Sequence, residues 1–460
     1  MRNATTVLTA SRIGGRETPG SRLAIQHRPI DTLRLDPRNP REHSQKQIAQ
    51  MAESIRVFGF NVPVLIDEDN KIIAGHGRVL ACKQLGMTEI PTIRLSHLSP
   101  EQVRAFIIAD NKLTENSQWN EILLGEKLKS LSEIDLNFSL EATGFEMGEI
   151  DILIEGLSQP GDATQDPADV QPDQSEILVT SPGDWWQLGK HRLLCGDALA
   201  PESYERLMTQ QRAAMVFTEP RYNVPINGHA SGLGKKQHRD FAMACGEKSR
   251  TEFTDFLTTV CKRLVGASRD GSIHYICMDW RHVGELLAAG REAYDEIENI
   301  CVWVKGKAGI GSLYGSQHEF ILVFKQGQDS HRNNVQLGRF GRYRSNVWRY
   351  AGTNSSSHET TEGNLLDLYP TVKPVALVAD AVMDCSARGD IVLDPFLGSG
   401  TTVIAAERTG RICYGIGLDP TYVDTAVRRW QRLTGLRAVH GASGRTFDDL
   451  EKEAEHARQR

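Results

Sequence analysis

The segment IVLDPFLGSGTTVIAAERTGRICYGIGLD, residues 391–419, constrains the fold of this chain more than any other. An apolar run ends at Asp394 and turns through Gly398 and Gly400. A helix opens at Thr401, a glycine closes it at position 410, and a second apolar run follows. Strand, glycine loop, helix and strand in this order predict a βαβ unit of a parallel α/β sheet. The two glycines let the backbone approach a ligand closely, and such sheets bind ligands in the crevice at the carboxyl ends of their strands. Asp394 reads as an exposed, ligand-facing carboxylate, because a turn alone does not need one there. The spacing is not G-x-G-x-x-G and the loop lacks a P-loop lysine, which argues against a dinucleotide or ATP site.

The rest of the chain divides around an acidic stretch. At 460 residues it is too long for one core and accommodates two or three domains. Residues 158–176, SQPGDATQDPADVQPDQSE, hold three prolines, five acids and no basic residue, the composition of an extended linker. The expected organisation is a flexible leader at 1–22, a first domain with a helical extension at 23–157, the linker at 158–176, a second domain at 177–435 and a charged tail at 436–460. No apolar run is long enough to cross a membrane, and the start lacks a signal-peptide core, so a cytoplasmic protein is expected. The eight cysteines are scattered without a CxxC pair, which argues against a metal site or a disulfide framework.

In the first domain, AIQHRPIDTL reads as a strand. A helix from Ser44 to Val57 puts Ile48, Met51 and Ile55 on one face, and PVLIDEDNKIIAG reads as a hairpin turning at Asp69-Asn70. Gly75-His76-Gly77-Arg78 then opens a second helix that ends at Gly86. A glycine-flanked turn into a helix N-terminus suits phosphate, although a plain turn has the same sequence. NPREHSQKQIAQMAESIRVFGFNVPVLID, AGHGRVLACKQLG and ADNKLTENSQW resemble the ParB/sulfiredoxin-like domain over residues 23 to about 120. The resemblance implies a small α/β domain in which Gly75, His76, Gly77 and Arg78 contact nucleotide phosphates or DNA. Partner binding or DNA loading is the role it suggests.

DPFLGSGTT resembles the S-adenosylmethionine-binding motif of DNA amino-methyltransferases, and YPTVKP at 369–374 resembles a segment of that family lining the methionine end of the cofactor. The likeness runs in matching order over residues 183–435. It implies a permuted, beta-class enzyme with the catalytic tetrapeptide first and the cofactor motif last. It places Asp394 at the methionine amino group within a loop of Pro395, Phe396, Gly398, Gly400 and Thr401, with Lys373 at the methionine end. Asp197 of HRLLCGDAL falls to the adenine side. The tetrapeptide is Glu219-Pro220-Arg221-Tyr222, where the family has Asp-Pro-Pro-Tyr. An aromatic amine delocalises its lone pair into the base, so the Glu219 carboxylate and the Pro220 carbonyl would hold its two N–H groups and localise that pair. Tyr222 would stack on the flipped base. An acid in first place favours adenine N6 over cytosine N4. No cysteine follows a proline, so the nucleophile of carbon-5 cytosine methylases has no counterpart.

Besides Tyr369, which stands where the family has histidine, three positions depart from the family: Glu219 for aspartate, Arg221 for proline, and Gly417 for the acid that holds the cofactor ribose, with Asp419 a partial substitute. Restoring all three together is expected to raise methyl transfer, because they lie where the geometry is most demanding.

A net charge of −6 means that DNA contact needs a local basic surface. Residues 326–350 carry five arginines against one aspartate, interleaved with Phe340, Tyr343, Trp348 and Tyr350. Arg339, Arg342 and Arg344 are expected to meet double-stranded DNA, the alternative being a hairpin whose aromatics pack inward. Lys235 and Lys236 form a second basic site. The combined expectation is a Rossmann-like S-adenosylmethionine-dependent methyltransferase domain with a smaller α/β ParB-like domain, in a restriction–modification setting. Two alternatives stay open: a catalytically impaired DNA- and cofactor-binding protein, and a ParB-type nucleotide-dependent DNA-loading factor. A homodimer is compatible with either.

Overall fold

The computed structural model describes residues 23–157, 177–223, 247–309, 313–350 and 373–458. The leader, the linker, Lys235, Lys236 and residues 369–372 lie outside them. The chain forms two units, the first of residues 1–121 with 136–145 and the second of 122–135 with 146–460.

The first unit contains β1 (Ile25–Pro29), α1 (Gln45–Phe58), β2 (Val64–Ile66), β3 (Ile72–Ala74), α2 (His76–Gln84), β4 (Glu89–Arg94) and α3 (Pro100–Glu115). Its strands make a mixed sheet in the order β1-β4-β2-β3. Ser44 caps α1, its hydroxyl accepting from the Gln47 N–H at 3.1 Å. The hairpin of β2 and β3 is antiparallel and turns through Asn70, whose φ is 59°, a conformation asparagine tolerates. Ile48 and Ala52 of α1 pack on Ala81 of α2, while Val64, Ile66, Ile72, Val79 and Ile90 close the core between sheet and helix.

The second unit begins with α4 (Glu121–Glu133) and α5 (Met147–Glu155). It continues through β5 (Trp185–Leu188), β6 (His191–Cys195), α6 (Pro201–Met208), β7 (Ala213–Thr218), α7 (Arg250–Ala267), β8 (Ser268–Met278) and α8 (Val283–Ala293). Then come β9 (Glu296–Gly309), β10 (Ser316–Lys325), β11 (Val347–Arg349), α9 (Val375–Cys385), β12 (Ile391–Asp394), α10 (Thr401–Thr409) and β13 (Ile412–Gly417). It ends with α11 (Pro420–Thr434), β14 (Val439–His440) and α12 (Phe447–Arg458). Among the described residues these strands form one ten-stranded sheet, β11-β9-β10-β8-β7-β12-β13-β6-β5-β14, parallel from β8 to β6. Successive residues of its central strands are apolar because both faces are covered. Met215 and Phe217 of β7 join α9 and α11 on one side, and Val216 joins α6, α7 and α8 on the other. The βαβ unit read from residues 391–419 is present as β12, α10 and β13, with Gly410 in the left-handed conformation at the end of the helix.

Two expected boundaries are corrected. The tail is part of the second unit's core: β14 pairs with β5, and Phe447 is fully buried against Trp186. Of the helical extension, placed with the first domain on sequence, residues 122–135 and 146–157 pack in the second unit, while 136–145 stay with the first. Asp151 of α5 is buried and accepts from both ends of the Arg411 guanidinium, at 2.9 and 2.8 Å, and from Arg388 at 3.0 Å. Removing one partner of a buried ion pair leaves an uncompensated charge, at a cost of about 3–5 kcal/mol. Asp151→Ala should therefore lower stability by about 3 kcal/mol or more in denaturant titrations, and a chain beginning at residue 177 should show the same defect.

Candidate active site

β7, β12, β13 and β6 are neighbours and parallel, so their carboxyl ends form one edge of the sheet. Glu219 follows β7, Asp394 ends β12, Asp419 lies two residues beyond β13, and Asp197 two residues beyond β6. Four segments far apart in sequence thus bring their acids to one edge of the sheet, and Glu219 and Asp394 line one pocket there. The Gly196 N–H donates to the Gly417 carbonyl at 3.0 Å, extending the pairing of β6 with β13 up to Asp197.

Asp394 is not the exposed carboxylate expected. It is 4% exposed, and it accepts from the Thr218 and Thr402 hydroxyls at 2.8 and 2.6 Å and from the Phe396 N–H at 3.1 Å. Burial pushes its pKa up to about 6, against the three hydrogen bonds that favour the ionised form. Asp394 therefore fixes the loop of Pro395, Phe396 and Gly398 as well as facing the pocket that Phe217, Glu219, Lys373, Phe396, Gly398 and Thr401 line with it. Gly400 has φ 86°, and a Cβ there would stand 2.7 Å from the Ala426 Cβ, so only glycine lets α11 approach the loop. The Thr401 hydroxyl is turned to the buried Arg429, accepting at 3.0 Å.

Glu219 lies in a cluster of charges that the sequence reading did not assemble. The Lys373 ammonium is 2.6 Å from Glu219 and 2.9 Å from Glu319 of β10, which in turn is 2.5 Å from Lys305 of β9. The Tyr222 hydroxyl donates to Glu319 at 3.2 Å and accepts from Lys373 at 3.3 Å. Burial raises the Glu219 pKa, with Lys373 opposing and Glu319 reinforcing the rise. Burial disfavours the Glu319 carboxylate too, yet Lys373 and Lys305 hold its pKa down at about 2. Pro220 is buried, and Asn223 (φ 53°) ties the end of the tetrapeptide to the start of α7 through two hydrogen bonds with Lys248, at 2.8 and 3.2 Å. The charge of Arg221 is felt by the Tyr422 phenol, where it opposes the upward push of burial. Glu319 was missed although it is the one acid inside the apolar run EFILVF, which is the signal that could have found it.

The remaining assignments fare differently. Asp419 caps α11, accepting from the Thr421 N–H at 2.9 Å, and Asp197 accepts from the Leu199 N–H at 2.9 Å, each leaving carboxylate capacity toward the edge. A Cβ at Gly417 would lie 2.8 Å from Val423 Cγ2, so this glycine answers to packing. The three arginines expected to meet DNA are engaged within the protein instead. Arg342 pairs with Asp380 and Asp384 at 3.2 and 3.1 Å, Arg344 with Asp384 and Asp380 at 3.0 Å each, and Arg339 with Glu146 at 3.2 Å. Trp348 is buried, while Tyr343 is exposed. These arginines hold the segment onto α9 and α5, so Arg342→Ala should cost about 3 kcal/mol of stability and leave the salt dependence of DNA binding unchanged, as filter binding would report. In the first unit Gly75 has φ 104°, as an opened turn requires, but His76 is buried and accepts from the Asp36 N–H at 3.3 Å. Gly77 also faces inward: a Cβ would stand 2.9 Å from the Met51 side chain. Arg78 is half-buried and donates to the Val62 carbonyl at 2.9 Å.

Comparison with known proteins agrees with both halves. The DNA methylase family model matches residues 213–428, the ParB N-terminal domain model residues 16–112, and the ParB-methyltransferase HTH domain model residues 122–182. The ParB-like nuclease domain-containing protein YnaK of Escherichia coli (strain K12) is 51% identical over 81 residues, 18% of this chain and 93% of that protein. DNA adenine methyltransferase YhdJ of the same strain is 27% identical over 259 residues, 52% of this chain and 81% of that protein. Among solved structures, the PvuII DNA methyltransferase (cytosine-N4-specific) is 14% identical with a TM-score of 0.41, over 58% of this chain and 93% of that one. The chain carries a domain matching the DNA N6/N4 methylase family at residues 213–428 and a ParB-type domain at its N-terminal side.

Proposed function

We propose that this protein transfers a methyl group from S-adenosylmethionine to the exocyclic amino group of a base at specific sites in double-stranded DNA, adenine N6 ahead of cytosine N4. The observation that carries the reading is that Glu219 and Asp394, ending neighbouring parallel strands, line one pocket. The residues present fit the cofactor's amino-acid end: the Asp394 carboxylate suits an ammonium, and the Lys373 ammonium and the first N–H groups of α10 suit a carboxylate. When bound, S-adenosylmethionine supplies an electrophilic methyl on a sulfonium.

The chain supplies the rest. Glu219 and the Pro220 carbonyl receive the N–H groups of the amine and turn its lone pair toward the methyl, while Tyr222, tethered through its hydroxyl to Glu319, presents its ring to the base. The Glu219 side chain is 18% exposed, and its largely buried setting strengthens those hydrogen bonds. The ParB-type unit holds the enzyme on DNA, with a nucleotide as its own ligand.

The test is to incubate the purified protein with tritiated S-adenosylmethionine and mixed-sequence DNA, then to separate the nucleosides. Labelled N6-methyladenine is expected, and labelled N4-methylcytosine would reverse the base preference. Cofactor crosslinking without any transfer would point to a silent DNA-binding protein. DNA-stimulated nucleotide turnover that Arg78→Ala abolishes, without methyl transfer, would point to a loading factor.

A further inference from the structure

Glu319 is a buried carboxylate that methyl transfer, as described, uses only to tether Tyr222. Yet it stands across a single nitrogen from Glu219. The Lys373 ammonium bridges the two carboxylates at 2.6 and 2.9 Å, and Lys305 completes the group on the far side of Glu319 at 2.5 Å. Two ammoniums and two carboxylates sum to zero charge, which suits a site for a neutral base. The obstacle is local: Lys373 occupies one oxygen of Glu219 and competes for that carboxylate with an incoming amine. Lys373 is 5% exposed, so water is no refuge for its charge, and a move away from Glu219 needs another anion within the cavity. Glu319 already receives one of its N–H groups.

We propose that Glu319 is a positioning residue for the acceptor amine: it shares Lys373 with Glu219 before the base enters and takes the ammonium over when the base amine displaces it. Glu219 then exchanges one N–H donor for another without any change in the charge of the cavity. Lys305 matters because it keeps Glu319 ionised, against burial, and so ready to receive Lys373. The tether from Tyr222 to Glu319 links the ring that meets the base to the carboxylate that takes up the displaced cation. The inference rests on Glu219 being the carboxylate that receives the amine.

The groups facing Glu219 are Lys373 before α9, Glu319 on β10, Tyr222 in its own loop, Asp394 at the end of β12 and the Cys277 thiol on β8. Two substitutions of opposite charge separate their effects. Glu319→Gln removes a like charge and leaves Lys373 to Glu219, so the Glu219 titration should move down in pH. Lys305→Met lets Glu319 draw Lys373 away, so the same titration should move up.

The full-length protein labelled with carboxyl-13C glutamate reports this directly, the Glu219 resonance being identified by its loss in Glu219→Gln. Glu319→Gln should also lower kcat by roughly tenfold to a hundredfold, with the DNA KM little changed and the acid limb of kcat/KM shifted down, as expected for a lost hydrogen bond to a charged group. Shifts of opposite sign support the proposal; no shift, or the same sign in both, overturns it. Should Glu319→Gln fail to fold, Lys305→Met decides alone, because its side chain is partly exposed: an upward shift supports and no shift overturns. If the parent protein methylates no DNA, the functional reading falls while the titrations still decide the coupling of Glu319 to Glu219.

Discussion

Asp394→Asn should leave the protein folded and at least as stable at pH 8 while weakening S-adenosylmethionine binding roughly a hundredfold or more, whereas Asp394→Ala should lose both binding and stability. Alanine withdraws the acceptor of two hydroxyls and one N–H in a site 4% exposed, and each unsatisfied buried donor costs about 1–3 kcal/mol. Asparagine keeps an acceptor oxygen, and a threonine hydroxyl can rotate to meet its amide. It also removes a charge that the fold disfavours. With a pKa raised from 3.8 to about 6, the Asp394 contribution to stability is fully present below about pH 4 and is lost as pH rises through 6. A rise of about two pKa units corresponds to about 3 kcal/mol held against the fold at neutral pH. A ligand ammonium wants the opposite, an ionised Asp394, so cofactor affinity should climb across the window in which this contribution to stability falls. Calorimetry and thermal melts between pH 4 and 7 would show the two trends in the parent and neither in the asparagine variant. Unchanged affinity in Asp394→Asn would remove the cofactor assignment.

Local pattern carried the sequence reading as far as single elements. The caps, the Asn70 turn and the strand–glycine–helix order around Asp394 are written in neighbouring residues, and they appear where the pattern placed them. What failed was whatever depends on a partner distant in sequence. The arginines of residues 326–350 looked free for DNA because Asp380 and Asp384, which bind them, lie about one helix further along. Asp151 looked like part of the first domain because Arg411, its partner, is 260 residues away. Phe447 sat alone among acids, and one aromatic in a charged stretch does not announce a core position. At the active site the resemblance marked Glu219, Lys373 and Asp394 separately. That Lys373 reaches Glu219, and that Glu319 competes for it, follows only from the pairing of β10 with β8 and β9, which brings Glu319 to the same edge of the sheet.

Making the chain match its family should slow it. The triple change Glu219→Asp, Arg221→Pro and Gly417→Glu, expected on sequence to raise methyl transfer, is instead expected to lower it by roughly a hundredfold, because the surroundings of two of these residues have adapted to what is there. At Gly417 any Cβ meets Val423 Cγ2 at 2.8 Å, and Val423 is 1% exposed with no room to retreat. Overpacking of this kind costs about 1–3 kcal/mol, so Gly417→Glu should show mainly as a lowered melting temperature. At Glu219 the lost methylene withdraws the carboxylate from a Lys373 nitrogen now 2.6 Å away, in a site where that ammonium has no water to turn to. A misplacement of about 1 Å can cost roughly a hundredfold in rate, so Glu219→Asp alone should account for most of the fall in kcat. Arg221→Pro removes a charge felt at Tyr422 and leaves the Glu219 carboxylate and its contact with Lys373 in place, so it should change kcat least. Kinetics of the three single variants and the triple would separate these contributions. A triple variant faster than its parent would mean that the contact of Glu219 with Lys373 hinders catalysis, and that the departures from the family are losses after all.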